Sequence, residues 1–243
     1  MVKGNEMLFT HMQELRQRMI YVLIVYVVFL VAGFVFVKKL YHWLLQNAEV
    51  SLTVLGPSEI LWIYFMLASL CSISLTIPFI AYQVWAFIRP ALKQEERKAT
   101  LVFIPLLFIL FIGGIAFGYF VVFPSVYAFI VSLSSGMFDT TFTVEKYFRF
   151  LLQITLPLGL LFEMPAVVLF LTKLRLLTPT VMMKYRKYVL FALVIISAVV
   201  TPPDFISQLF VLIPMILLYE ASIIICKIVY NRQKERDLVF SSS

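Results

Sequence analysis

Apolar runs with few or no charges alternate with short polar segments along the chain. These runs comprise residues 19–37, 60–88, 99–123, 150–172, 188–200 and 205–226. About 20 apolar residues cross the hydrocarbon core of a bilayer as an α-helix. The pattern therefore predicts an all-α membrane protein with six transmembrane helices, in one membrane domain that covers residues 1–243.

The last two runs are short for this purpose. Residues 188–200 would form a helix about 20 Å long, against a hydrocarbon core of roughly 30 Å. In the last run, the uninterrupted apolar part is residues 209–219, before Glu220. Two interpretations remain open: the helices are short and the bilayer thins around them, or the fifth helix begins earlier, near Lys184.

Polar residues and prolines indicate where helices begin, end or bend. Thr10 and Gln13 have the spacing of a capping box, which predicts that a helix leading into the first span starts at Thr10. Pro124 is expected to end the third helix, because proline cannot donate a backbone hydrogen bond. Pro157 and Pro165 are expected to bend the fourth helix.

Lys and Arg are distributed unevenly between the two sides of this arrangement. Sixteen of the twenty lie on the side of the N-terminus, and the other four are Lys38, Lys39, Lys146 and Arg149. Short loops rich in Lys and Arg stay in the cytoplasm. Both termini are therefore predicted to be cytoplasmic, with residues 227–243 as a cytoplasmic tail.

The composition agrees with a membrane protein. Apolar residues make up 62% of the chain and charged residues 14%, and the mean hydropathy is +0.98. A soluble domain has roughly 25% charged residues. The net charge of +7 does not indicate a nucleic-acid partner, because the basic residues cluster between the apolar runs instead of forming one basic face.

The sequence contains no pattern typical of an enzyme or a metal site. It has neither a GxxxxGK[ST] phosphate loop nor an HExxH motif, and its only histidines are His11 and His42. Cys71 and Cys226 lie far apart within apolar runs, and their spacing is not that of metal ligands. We therefore predict no catalytic residue, no metal and no cofactor.

Acidic residues near the predicted cytoplasmic surface are candidates for binding. Glu14 precedes the first span, and Glu95 and Glu96 lie in the first cytoplasmic loop. A carboxylate accepts a guanidinium group through two parallel hydrogen bonds, which Lys cannot reproduce. Glu14 and one of the loop glutamates can form an acidic site of this kind. The alternative is a local ion pair between Glu14 and Arg18, one helical turn apart.

Glu163 is the ionisable residue deepest within a predicted span. An ionisable side chain at that depth is costly, so a functional role is the first hypothesis, and a neutral Glu bonded to a neighbouring helix is the alternative. One function that Glu163 would suit is proton-coupled secondary transport of a small solute. The chain lacks a recognisable internal repeat, which argues against such a transporter.

Five stretches, taken in order, resemble one known family, the TatC core subunit of the twin-arginine protein translocase. They are HMQELRQR (residues 11–18), which is similar to an HLxELRxR signature, YQVWAFIRPAL (82–92) followed by ERK (96–98), GYFVVFP (118–124), FEMP (162–165) and TPPDFIS (201–207). Together they cover about residues 8–230, so the resemblance extends over nearly the whole chain.

The resemblance implies a concave bundle of six helices in the bacterial cytoplasmic membrane. Its expected function is to recognise twin-arginine signal peptides and, with single-span TatA-type partners in an oligomeric complex, to export folded proteins using the proton-motive force. By matched position, Glu14, Glu96, Arg16 and Phe87 are expected to bind the signal peptide. Glu163 is the expected buried polar residue of the concave face.

The resemblance also implies a partner-contact region and leaves two points open. Thr201, Asp204 and Gln208 are expected in or near that region, beside the short last helices. Glu96 is preferred over its neighbour Glu95 only because it precedes a basic pair. The stretch LGPSEILW (55–62) resembles Gram-positive members of the family, in which one TatA-like partner often suffices, so a separate TatB subunit is left open.

Overall fold

A computed structural model describes residues 2–45, 52–89, 101–134 and 142–241, and most of them are helical. The helices are α1 (Val2–Leu45), α2 (Pro57–Ile88), α3 (Phe103–Phe117), a π-helical turn (Gly118–Val122), α4 (Phe123–Ser134), α5 (Val144–Phe162), α6 (Met164–Lys173), α7 (Pro179–Val200) and α8 (Phe205–Ser241). Two short strands, β1 (Leu52–Thr53) and β2 (Phe142–Thr143), pair in parallel.

Five segments of the described residues are long and apolar enough to cross a membrane. They are Met12–Leu45, Pro57–Ile88, Phe103–Leu133, Val144–Lys173 and Phe205–Glu235. The remaining predicted span, the fifth, corresponds to α7, whose first half carries Lys184, Arg186 and Lys187. The prediction of a helical, multi-pass membrane protein is confirmed. A count of six spans requires that α7 crosses the membrane in addition to these five segments.

Helix α7 begins earlier than its apolar run. Thr178 is the residue before its first turn, and the hydroxyl of Thr178 accepts a hydrogen bond from the Val181 N–H at 3.4 Å. Pro179 follows at the first helical position, where its missing N–H costs nothing. Of the two interpretations, the earlier start is therefore confirmed, and the helix has 22 residues.

Two predicted helix boundaries are wrong. Helix α1 is continuous from Val2, so it does not start at Thr10. The third helix does not end at Pro124 but continues to Ser134. Because Pro124 has no N–H, the backbone widens into a π turn before it, and the Phe123 N–H bonds to the Gly118 carbonyl. Such a turn relieves the proline without ending the helix.

The described chain divides into two compact units. The first comprises Met1–Phe108 with Thr141–Tyr147, and the second comprises Ile109–Thr140 with Phe148–Ser243. In the first unit, α1 and α2 pack antiparallel and very closely. A Cβ on Gly33 would lie 3.0 Å from the Ala68 carbonyl oxygen, and the Ser72 hydroxyl donates to the Tyr26 carbonyl at 2.6 Å. Small residues and such hydrogen bonds hold helices together in lipid, where hydrophobic burial cannot.

In the second unit, α6 and α7 both pack against α8. The Thr172 hydroxyl of α6 donates to the Cys226 sulfur of α8 at 3.2 Å. The Tyr219 hydroxyl of α8 donates to the Met182 carbonyl of α7 at 3.0 Å. Both donors are buried, so these bonds fix the three helices to one another without water.

The turn between α6 and α7 has a defined geometry. The Leu176 N–H bonds to the Leu171 carbonyl at 3.0 Å and the Arg175 N–H to the Thr172 carbonyl at 2.9 Å, which is the Schellman pattern. Arg175 therefore takes a left-handed conformation, with φ of 60°. Gln233 of α8 donates to the last α6 carbonyl, that of Lys173, at 2.9 Å. The turn before α7 is thus stabilised both by its own backbone hydrogen bonds and by a side chain of α8.

Helices α3 and α5 touch through glycines. A Cβ on Gly114 would lie 2.7 Å from the Gly159 Cα and 2.9 Å from the Leu158 carbonyl oxygen. These are backbone atoms, which cannot move aside as a flexible side chain would. A Cβ on the neighbouring Gly113, by contrast, would meet no atom of the described residues within 4 Å.

The substitution Gly114→Ala should therefore force α3 and α5 apart and destabilise the protein by about 1–3 kcal/mol, the usual cost of overpacking. The matched control is Gly113→Ala, which should leave stability unchanged or slightly higher, because alanine favours the helix. Thermal unfolding of the detergent-solubilised protein measures both. Equal midpoints for the two variants would contradict the close approach.

Candidate functional site

Glu14 and Arg18 form an ion pair on one face of α1. The Arg18 Nη2 lies 2.6 Å and its Nε 3.2 Å from the Glu14 Oε1. The two residues are one helical turn apart, which brings their side chains together. Both are only partly accessible, with 35% of the Glu14 side chain and 22% of the Arg18 side chain exposed. The local pair considered from the sequence is thus present.

Gln83 of α2 completes this cluster. The third nitrogen of the guanidinium, Arg18 Nη1, donates to the Gln83 Oε1 at 3.0 Å. Arg18 therefore connects the Glu14 carboxylate of its own helix to a side chain of the neighbouring helix. Sequence reasoning did not single out Gln83, although a Gln within a long apolar run is the signal that would have found it.

An apolar groove lies beside the cluster, between α1 and α2. It has a volume of about 460 Å³. Its lining residues are mostly aliphatic or aromatic: Leu15, Arg18, Met19, Val22, Leu23, Tyr26, Ile73, Thr76, Ile80, Gln83, Val84 and Phe87. Arg18 and Gln83 of the cluster are also among its lining residues, so the charged cluster adjoins the apolar groove.

The other residues predicted for this site are placed as follows. Phe87 lines the groove. Arg16 is exposed on α1. Arg89, which is not among the predicted site residues, is exposed at the end of α2, with its guanidinium carbon 5.4 Å from the centre of the Trp85 ring. Glu96 lies outside the described residues, as does its neighbour Glu95.

Glu163 lies at a break between two helices. Helix α5 ends at Phe162 and α6 begins at Met164, with Pro165 in its first turn. The Glu163 backbone is satisfied, because its N–H bonds to the Leu160 carbonyl at 3.2 Å and its carbonyl accepts the Val167 N–H at 3.0 Å. The predicted bend is thus a short interruption. Glu163 thus lies within the span Val144–Lys173.

The Glu163 carboxyl group is not satisfied in the same way. Its Oε1 is buried, and no hydrogen-bond partner for it exists among the described residues. A buried oxygen of this kind costs free energy unless a partner supplies a donor. The side chain is therefore available to a group outside the described part of this chain.

Thr201, Asp204 and Gln208 hold the turn between α7 and α8. The Asp204 carboxylate accepts the Ser207 N–H at 2.7 Å and so caps the start of α8. The Thr201 hydroxyl donates to the Ser197 carbonyl at 2.9 Å. The Gln208 amide donates to the Val194 carbonyl at 3.3 Å, across the two helices. Each of these residues thus has a structural role in the turn.

A second acidic residue is paired near the other end of the α7–α8 hairpin. The Arg186 Nη2 lies 2.7 Å from the Glu220 Oε1, which is close enough for an ion pair. The contact is an ion pair, and no described group donates a hydrogen bond to the same oxygen. Across the described residues, no three His, Cys, Asp or Glu side chains group to hold a metal ion.

Comparison with known proteins relates the chain to one family. Residues 10–214 match the family model described as Sec-independent protein translocase protein (TatC). The chain is 48% identical over 237 residues to the Sec-independent protein translocase protein TatCd of Bacillus subtilis (strain 168), and the alignment covers 98% of each protein. It is 39% identical over 239 residues to TatCy of the same strain, covering 96% of this chain and 94% of that one.

A solved structure gives the same result. The crystal structure of a twin arginine translocase receptor, TatC, superimposes with a TM-score of 0.80 at 32% identity, covering 90% of this chain and 99% of that one. The family expected from the five stretches is confirmed by both kinds of comparison. The chain belongs to the TatC family of Sec-independent protein translocase proteins.

Proposed function

We propose that this protein is the receptor subunit for twin-arginine signal peptides, and that Glu14 binds one of the two arginines. The observation that carries the proposal is the contact between Glu14 and Arg18, in which the carboxylate already accepts a guanidinium at 2.6 and 3.2 Å. A carboxylate that accepts the guanidinium of Arg18 can accept the guanidinium of a peptide arginine in exchange for it. The similar crystal structure is named a receptor, which supports the same role.

Glu96 is proposed as the second carboxylate. Phe87, close to the end of α2, lines the groove beside Arg18. Glu96 follows Phe87 by only nine positions in the sequence, and α2 ends at Ile88 between them. A second carboxylate close to Glu14 would suit a peptide with two adjacent arginines. Arg16 and Phe87 would border the bound peptide.

The proposed site requires a defined orientation. The excess of Lys and Arg in segments on the N-terminal side supports a cytoplasmic location for that side. Both termini and Glu14 then face the cytoplasm, where signal peptides arrive, and the protein lies in the bacterial cytoplasmic membrane. A receptor on the opposite face could not meet cargo before export.

The partners we propose are TatA-type single-span subunits, which act with this chain in an oligomeric complex driven by the proton-motive force. Thr201, Asp204 and Gln208 would contact them beside the α7–α8 turn. Glu163 would meet a polar group of a partner within the membrane, since its buried Oε1 lacks a partner among the described residues. The need for a separate TatB subunit is left open.

A proton-coupled transporter of small solutes is the competing function. The Glu163 carboxyl group, whose Oε1 has no partner among the described residues, is the feature that would suit it. Membership of a protein-translocase family favours export of proteins instead, and the same carboxyl group can serve a subunit contact. We therefore retain the translocase as the function.

The first test concerns Glu14. Glu14→Gln keeps the size of the side chain and removes its charge, so the affinity for a twin-arginine peptide should fall about tenfold, the value of one charge-assisted hydrogen bond. Binding of a fluorescent peptide to the protein in nanodiscs measures this. A twin-lysine peptide should bind wild type more weakly, because an ammonium group cannot make both bonds.

The control for this test is Glu235→Gln, which removes one exposed acidic residue of α8. It should bind the peptide as wild type does. The assignment of Glu14 fails if Glu14→Gln also binds with wild-type affinity, and the geometric argument fails if the two peptides bind equally.

A second test separates hydrogen bonding from charge at Glu163. Glu163→Gln keeps the polar group, whereas Glu163→Leu removes it at similar size. We expect the first variant to retain most of the export of a twin-arginine reporter and the second to lose most of it, because a buried partner group would be left unpaired. Export is measured in cells that lack their own TatC. Wild-type export by Glu163→Leu would refute a contact role.

A third test separates the two roles of Asp204. Asp204→Asn preserves the cap of α8, whereas Asp204→Ala removes it and should lower stability by about 1 kcal/mol. If the carboxylate also contacts a partner, Asp204→Asn should weaken crosslinking to a TatA-type subunit without changing the thermal midpoint. Unchanged crosslinking by Asp204→Asn would limit Asp204 to its structural role.

A further inference from the structure

The guanidinium of Arg18 already occupies the carboxylate that the proposed function assigns to the signal peptide. We propose that Arg18 is an intramolecular competitor for Glu14, held in place by Gln83, and that it sets how weakly the site binds an incoming arginine. This inference rests on the proposed receptor function and adds the regulation of the same site.

The competition follows from which oxygen is occupied. Both nitrogens that contact Glu14 approach Oε1, at 2.6 and 3.2 Å. A second guanidinium needs both carboxylate oxygens to form the two parallel hydrogen bonds of a strong pair. An incoming arginine therefore has either to displace Arg18 from Oε1 or to accept a weaker, single contact to Oε2.

Gln83 makes Arg18 a stronger competitor than an isolated helical pair would be. An exposed ion pair one turn apart contributes little to stability, and its guanidinium would exchange freely. Here the third nitrogen of Arg18 is bonded to the Gln83 Oε1 at 3.0 Å on another helix. Three nitrogens are thus held by two acceptors, and only 22% of the Arg18 side chain is exposed.

The surroundings also allow Arg18 to leave. Its side chain lines a groove of about 460 Å³ between α1 and α2, which gives room for a different rotamer. Gln83 lines the same groove, so the displaced guanidinium can keep one hydrogen bond while it releases the other two. The bond that Arg18 keeps to Gln83 limits the free energy that its displacement from Glu14 costs.

The test measures the affinity of a fluorescent twin-arginine peptide for the full-length protein in nanodiscs. Arg18→Lys keeps the positive charge and removes the two-bond contact, so the affinity should rise about three- to tenfold, as expected for the loss of a partly exposed charge-assisted pair. Gln83→Met removes the second anchor of Arg18 and should raise the affinity by a smaller factor.

The control is Arg89→Gln. It removes one exposed positive charge at the end of α2 without touching Glu14, so it reports the general electrostatic effect, which salt screens. Its affinity should lie within about twofold of wild type at physiological salt. A rise equal to that of Arg18→Lys would overturn the competitor assignment, and so would an unchanged or lower affinity for both Arg18→Lys and Gln83→Met.

The single variants Glu14→Gln and Arg18→Lys, together with their combination, separate this inference from the proposed function. If Glu14→Gln abolishes tight binding while Arg18→Lys has no effect on wild type, the receptor function stands and the competitor assignment fails. If Glu14→Gln binds like wild type, both fail at this site. In the combined Glu14→Gln/Arg18→Lys protein, the gain from Arg18→Lys should disappear, because a competitor has no effect once its target is gone.

Discussion

Backbone N–H and C=O groups inside the hydrocarbon core have no water to bond, so each must find a partner within the protein. This constraint explains why the membrane segments are helical and why each interruption of a helix is repaired locally. Before Pro124 the backbone widens into a π turn, and the Phe123 N–H is satisfied by the Gly118 carbonyl. At Glu163 the flanking groups bond to Leu160 and Val167.

The same constraint gives the α7–α8 turn its residues. Thr201 and Gln208 donate side-chain hydrogen bonds to carbonyl groups of α7. The Asp204 carboxylate accepts the Ser207 N–H at the start of α8. The residues that family resemblance assigns to partner contact therefore already have a structural task. Both roles are compatible, because a turn held rigidly by its own side chains presents a constant surface to a second protein.

Side-chain charges follow a different rule, since they are kept where a partner or water can reach them. Glu14 is partly exposed and is paired with Arg18, which Gln83 holds from α2. Glu163 is the contrasting case, with a buried oxygen that no described group satisfies. The Glu14 carboxylate suits a ligand whose guanidinium exchanges with that of Arg18. The buried oxygen of Glu163 suits a partner protein that supplies a hydrogen-bond donor.

The apolar pattern and the order of motifs determined the class of the protein and its family, because burial in lipid selects residue types directly and needs no knowledge of tertiary contacts. Helix boundaries were less predictable. The predicted start at Thr10 was wrong because hydrogen bonding is continuous through α1. The predicted end at Pro124 was wrong because a π turn before Pro124 accommodates the proline. The Glu14–Arg18 pair could be anticipated, because its residues are neighbours on one helix. Only the tertiary structure decided that Gln83, 65 positions from Arg18, completes the cluster, because a contact between two helices depends on how they pack and not on spacing along either one.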